Sequence, residues 1–501
     1  MPSIESRVNG VANIGSRSFE SCTSLASITI PASVANIGSG AFSSCISLRS
    51  VYFQGNAPTG TAADVFASTH DVKFYYRSGT TGWDLFLGTT ATNSSALTVS
   101  TTGSGRVTPN WTVTNLLFGK SYTLQAIPSR NWLFLNWTGT TNSSNAILRF
   151  VAEQDMTLTA NFVTNRFLAA QGAYIGLFAT VDNVRQQTNS GSFNLNVTPT
   201  GVASGTLFIG SERITLLGSF DATGAASIQS TRYRTNKLIT TLQMDFDSQQ
   251  VTGTVSDGKF TSILQGDRAV FSTRNKATAY AGQYTMVITG AEDSTVGPYG
   301  VSYGTIKVDS LGNIRLNGSL ADGTVVMQSS MVSKDGSWPI YVSLYGGKGS
   351  LWAWGFFTNH SVFAATGLSW INATNTSALA LYRRGFTNQS ATLFASPLVS
   401  SQRPLFGATT ALVMLSGGNL PFAITNPVVI KANNTFTSAT GYTNKLLGTI
   451  KADGTLSGTF SNPAKPKQLI SFSGVILQNQ TNAGGWFRGT NQSGAILFEV
   501  E

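Results

Sequence analysis

The sequence predicts a mainly β, multidomain protein, and three observations carry that prediction. At 501 residues the chain exceeds the size at which one hydrophobic core stops growing, so at roughly 150 residues per domain its length suggests about three domains. Charged residues make up only 11%, against about a quarter in an average globular chain, which leaves too few ion pairs to support long solvent-facing helices. In their place stand Ser, Thr, Asn, 51 Gly and 30 Phe, the composition of short strands joined by tight turns.

The same composition excludes several function classes. The formal charge of +10 is spread along the chain, densest only at Arg383–Arg384 and the Lys465/Lys467 pair. A phosphate-binding face would gather its Lys and Arg in one place, so no nucleic-acid partner is expected. No window offers the roughly 18 uninterrupted apolar residues of a membrane span. Cys22 and Cys45 are too few for a disulfide scaffold or a zinc site, and His70 and His360 are the only histidines. No metal and no cofactor are expected.

The first module, residues 1–88, is a repeat. Val11, Ile14, Gly15, Phe19, Cys22, Leu25 and Ile28 recur 23 residues later as Val34, Ile37, Gly38, Phe42, Cys45, Leu48 and Val51. That period builds a solenoid in which Leu25 to Ile30 supply a strand and equivalent residues stack between coils. Cys22 and Cys45 then share one ladder position as reduced thiols. Over residues 8–55 the wording of the repeat resembles BspA-like leucine-rich repeats of bacterial surface proteins. A degenerate third unit follows, with Val65-Phe66 in the Ala-Phe place and Val72 to Tyr76 as its strand, closed by Gly79 to Trp83. The repeat begins almost at Met1 without an atypical first unit, and Met1 to Glu5 show no basic region before an apolar stretch. The expectation is therefore a truncated chain, its missing coils and export signal lying upstream.

Beyond a polar linker, Thr89 to Ser95, residues 96–163 alternate strictly in Leu97-x-Val99, Tyr122-x-Leu124-x-Ala126 and Leu158-x-Ala160-x-Phe162, the pattern of half-buried strands. Trp137 is its predicted core anchor. The order of motifs resembles the divergent internalin-B-type repeat, which implies a small β-grasp-like spacer.

From residue 167 onward three meander units are expected, at 167–275, 280–385 and 405–501, as antiparallel β-barrels or sandwiches. Gly205-Thr206-Leu207 with Gly218-Ser219-Phe220, Gly304-Thr305-Ile306 with Gly318-Ser319-Leu320, and Gly448-Thr449-Ile450 with Gly458-Thr459-Phe460 each join two strands. Asp257-Gly258, Asp322-Gly323 and Asp453-Gly454 mark hairpins. These Gly-rich strands look similar to transferrin-binding-protein-B-type barrels, a resemblance that transfers no binding residue.

Chemistry has little material. Gly300-x-Ser302-x-Gly304 fits the nucleophile-elbow spacing, but the strand-like Thr305 to Val308 follows where a helix is required. Gly119-Lys120-Ser121 lacks the earlier glycine of a P-loop. Asp245 and Asp247 would share a strand face, read as solvated, and Glu292-Asp293 lies in a loop. The one stretch of interest is Trp352, Trp354 and Phe356, with Trp370 nearby. On one strand face the three form barrel core if inward, which Gly349 and Gly355 in a curved wall favour. If outward, they form a stacking platform for sugar rings.

The expectation is a non-catalytic interaction or adhesion protein, with a protein or glycan partner, a solenoid face presented to it and a spacer holding that face away. The family resemblance implies a secreted or cell-surface location. The alternative is a carbohydrate-binding accessory protein that uses Trp352, Trp354 and Phe356. An enzyme is disfavoured by the shortage of His and of clustered carboxylates.

Overall fold

The computed structural model describes residues 10–87, 94–153, 155–180, 185–232, 236–358, 362–373, 381–442 and 444–500, with only the backbone of residues 113, 358, 362–364 and 366. His360 and residues 89–93 of the linker lie outside the described residues. The fold is nearly all β, in two compact units, Met1–Asn165 and Arg166–Glu501.

The first unit opens with the solenoid: β1 (Asn13–Ile14), β2 (Ser27–Ile30), β3 (Asn36–Ile37), β4 (Ser50–Phe53), α1 (Ala62–Val65), β5 (Lys73–Tyr76) and α2 (Trp83–Leu87). The 23-residue period sets the register directly. β2, β4 and β5 pair in parallel with Ser27 opposite Ser50 and Ser50 opposite Lys73. On the turn side Phe19, Phe42 and Phe66 stack with centroids 5.0 and 5.2 Å apart. Gly38 has no side chain because a Cβ there would meet the backbone nitrogen of Ser16, in the coil below, at 2.4 Å. Both cysteines are free, and the buried Cys45 thiol donates to the Phe19 carbonyl at 3.1 Å. Trp83 stacks on Tyr76 at 4.6 Å and closes the apolar end.

The next module holds β6 (Ser94–Thr102), β7 (Gly105–Thr108), β8 (Val113–Leu117), β9 (Ser121–Pro128), β10 (Trp132–Gly139), β11 (Ile147–Val151) and β12 (Met156–Thr164). A four-stranded sheet runs β10-β12-β6-β8, and a three-stranded sheet runs β11-β9-β7. The first and last strands, β6 and β12, pair in parallel, and between the sheets Trp137 is fully buried, its indole N–H donating to the Ala146 carbonyl at 3.3 Å. Among the described residues this module has no helix, so the second sheet covers the face that a β-grasp helix would. The module also touches the solenoid. Phe118, at the β8–β9 turn, lies 5.5 Å from Tyr52, and its carbonyl accepts the Ser78 N–H at 2.8 Å. Phe118 therefore covers the Tyr52–Tyr75 ladder on the solenoid sheet.

In the second unit α3 (Phe167–Ala170) precedes three eight-stranded sheets. The first comprises β13 (Gly172–Thr180), β14 (Gly191–Val197), β15 (Val202–Ile209), β16 (Glu212–Ser219), β17 (Ala225–Ser230), β18 (Leu238–Asp245), β19 (Gln250–Ser256) and β20 (Thr261–Ala269). The second comprises β21 (Gly282–Ile288), β22 (Ser302–Val308), β23 (Asn313–Ser319), β24 (Val325–Met331), β25 (Ser337–Leu344), β26 (Gly349–Thr358), β27 (Val362–Asn372) and β28 (Phe386–Pro397). This second sheet thus runs to Pro397, past position 385. The third comprises β29 (Thr410–Gly417), β30 (Ile424–Ile430), β31 (Thr435–Ser438), β32 (Leu447–Ile450), β33 (Thr455–Asn462), β34 (Lys465–Leu477), β35 (Asn482–Arg488) and β36 (Ser493–Glu499).

All three share one plan, an antiparallel meander whose first and last strands pair, and the Asp-Gly turns stand at hairpins as their sequence predicts. They differ at one place. The third sheet is a closed barrel, whereas the first is unpaired between its fourth and fifth strands, β16 and β17, and the second between β24 and β25. We call that interruption the seam. The second barrel's core gathers Trp338, Trp370, Leu351, Ala353 and Phe357. No helix among the described residues is long and apolar enough to cross a membrane.

Candidate functional site: the cleft between the first two barrels

The aromatic strand β26 alternates in the opposite sense to the barrel-core expectation. Leu351, Ala353 and Phe357 point into the core, while Trp352, Trp354 and Phe356 point away from it. Trp352 is 8% exposed, Trp354 is half-buried and Phe356 is 52% exposed. The core obtains its bulk instead from Trp338 on β25 and Trp370 on β27.

Trp352 is buried because the first barrel covers it. Its indole N–H donates to the Phe178 carbonyl of β13 at 3.1 Å, and Leu177 and Tyr341 pack beside it. The Arg185 guanidinium lies 4.1 Å over the ring and donates to Gly367 O at 3.0 Å and Ser369 Oγ at 2.8 Å. Cation, ring and main-chain acceptor together make Trp352 a wedge that fixes the two barrels to each other. It is no free sugar platform.

Beside the wedge opens a cleft of about 600 Å³. One wall is the Gly210–Arg213 hairpin of the first barrel. The other is Met327 to Met331 of β24 with Pro339 and Tyr341–Ser343 of β25, so the seam of the second barrel opens into it. Burial pushes the Tyr341 phenol up to about 12, with the Gly210 backbone pulling the other way. Glu212, the one acid on the walls, is held bidentately by Arg232 at 2.5 and 2.9 Å, and Arg232 also reaches Asp257 at 3.4 Å. Arg213, in contrast, lies 5.6 Å over Phe208 and has no ion pair among the described residues. The cleft therefore offers main-chain edges, hydroxyls, aromatic surface and one uncompensated positive charge. It holds no pair of carboxylates to share acid and base roles.

The other sequence candidates resolve into structural roles. Ser302 opens β22, is buried, and its hydroxyl accepts the Ala321 N–H at 2.9 Å, so Gly300 to Gly304 is no nucleophile elbow. Asp245 ends β18 and accepts the Asp247 and Ser248 N–H groups, while Asp247 lies beyond the strand and pairs with Arg166. The two do not share a strand face. Asp293 likewise caps its own turn, accepting the Thr295 N–H at 2.8 Å. Gly119-Lys120-Ser121 is the β8–β9 turn, and His70 is exposed in a loop. Among the described residues no three His, Cys, Asp or Glu gather as metal ligands. The seam and the cleft were invisible to sequence reading because both arise from main-chain edges, although Pro339 within a strand was a signal of an edge.

Residues 2–94 match the family described as BspA type Leucine rich repeat region (6 copies), and residues 95–166 match the Divergent InlB B-repeat domain. No curated protein matches the chain. Among solved structures it is similar to the isotype 1 Transferrin binding protein B from serogroup B Neisseria meningitidis, at 11% identity over 79% of this chain and 86% of that one, with a TM-score of 0.18. A protein of unknown function from the DUF3598 family of Nostoc punctiforme aligns at 10% identity over 67% of this chain and 96% of that one, with a TM-score of 0.13.

Proposed function

We propose that the chain is a non-catalytic bacterial surface or secreted interaction protein whose binding site is the cleft between its first two barrels. The observation that carries this is the wall chemistry: unpaired strand edges and an unpaired Arg213 face a cavity whose single acid, Glu212, is already neutralised by Arg232. Such walls recognise a ligand but have no residues to turn it over. The repeat families matched by residues 2–94 and 95–166 support the location and the adhesion class. The test is biolayer interferometry of the full chain against a panel of purified extracellular glycoproteins, repeated with Ser329→Trp, which fills the cleft from an exposed position. Saturable binding lost in that variant is expected. Binding that survives it places the site elsewhere.

A second reading rests on the outward pair Trp354 and Phe356, the latter 52% exposed, as a glycan-stacking surface. Tryptophan fluorescence titrated with soluble polysaccharides tests it. A saturable shift abolished by Phe356→Ala would support it over the cleft.

A further inference from the structure

The three barrels share one meander, so the fourth-to-fifth-strand junction can be compared directly. In the third barrel β32 and β33 form a ladder from Leu447 opposite Thr459 to Ile450 opposite Leu456. In the first barrel the ladder is missing, but side chains latch the gap. Ser230 Oγ donates to Thr215 O at 2.7 Å, and Arg232, just past β17, grips Glu212 at the start of β16. In the second barrel one side-chain bond spans β24 and β25, from Gln328 Nε2 to Pro339 O at 3.0 Å. Gln328 Oε1 is buried without a partner.

We propose that the free edge of β24 binds an extended peptide segment of a protein partner by strand addition, with a carboxylate on that segment meeting Arg213. The proposal rests on the cleft being the binding site and specifies the ligand. β24 pairs with β23 alone, so main-chain N–H and C=O groups along its other side lack ladder partners. An added strand satisfies them while its side chains give selectivity. Seven residues at about 3.3 Å each give an edge of roughly 23 Å. Val325 and Met327, 72% and 71% exposed, stand on one face of that edge and suit a peptide with alternating apolar residues. Pro339 on β25 has no N–H to offer, so it withholds a donor from the opposite edge. Opposite β24, Arg213 is the wall's uncompensated charge, which favours an acidic residue and disfavours a basic one.

The probe is a soluble synthetic peptide of alternating valine and threonine with one central aspartate, a matched peptide with asparagine in its place serving as control. With the full chain, amide exchange should slow across β24 on binding. Met327→Lys, which places a charge on an exposed edge, should weaken binding roughly tenfold at unchanged melting temperature. Arg213→Gln should weaken the aspartate peptide several-fold and leave the asparagine peptide unaffected. Slowed exchange at Trp354 and Phe356 instead of β24 overturns the proposal. So does protection of β24 by a second copy of the chain at concentrations where light scattering reports a dimer. If no peptide binds but glycoprotein binding is still lost in Ser329→Trp, strand addition fails while the cleft reading stands. If both are absent, both fail.

Discussion

The junction between fourth and fifth strands is sealed in the third barrel and open in the second, though both sheets follow the same plan. What differs is a few residues. In the third barrel Gly448 lies opposite Gly458, and a Cβ on Gly458 would meet the Leu447 carbonyl oxygen at 2.2 Å; the missing side chains let the two backbones close. In the second barrel the matching glycine pair, Gly304 opposite Gly318, lies between the second and third strands, and the fifth strand carries Pro339 instead. The glycine pair thus falls in the closing ladder of the third barrel and in an earlier ladder of the second.

The comparison can be broken most forcefully at Gly458. Gly458→Val should destabilise the third barrel by about 3 kcal/mol through backbone collision, whereas Ser329→Val on the open edge should change stability by less than about 0.5 kcal/mol. Urea unfolding of the two variants measures the contrast, and similar costs would remove the basis for treating β24 as a free edge. Arg232→Ala comes next. Losing the bidentate grip on Glu212 should cost about 2 kcal/mol and raise amide exchange on β16 and β17 selectively. Gln328→Ala removes the one side-chain bridge of the second seam and should cost about 1 kcal/mol, read as faster exchange along β24 and β25.

The smallest effect is alkaline. Burial raises the Tyr341 phenol to about 12 in the folded protein, above the ordinary value near 10 of the unfolded chain. Its contribution is therefore complete below about pH 10 and lost as the pH rises toward 12. At about pH 10.5 the loss should be under about 1 kcal/mol, seen as the difference between the native chain and Tyr341→Phe, which removes the titrating group. Identical alkaline profiles would show that Tyr341 is not buried as described.

Where the sequence was periodic it was legible. A 23-residue repeat leaves no freedom in the register of Ser27, Ser50 and Lys73, and the Phe19–Phe42 stack follows from it, while Phe66 joins that stack from 24 residues beyond Phe42. Trp137 was legible because one large residue in a small module has only one place to go. The β26 strand was not, since Leu351, Ala353 and Phe357 are as apolar as Trp352, Trp354 and Phe356, and bulk alone does not set parity. The Gly-Thr and Gly-Ser motifs mark close backbone approaches but fall at different strand pairs in the three barrels: third with fourth, second with third, and fourth with fifth. Reading them as equivalent repeats hid the seam, which is a property of main-chain partners and leaves no side-chain signature beyond Pro339.

The pairing of first and last strands has a mechanical consequence. In each barrel the start of the first strand lies opposite the end of the last, as Tyr284 lies opposite Pro397 and Leu412 opposite Glu499. Tension on the chain therefore loads these hydrogen bonds one at a time, and the barrels unzip. In the module before them β6 and β12 run parallel, so the same tension shears six paired positions together, from Met156 opposite Leu97 to Asn161 opposite Thr102. Under tension from both ends the barrels would pay out length before the parallel-paired module yields.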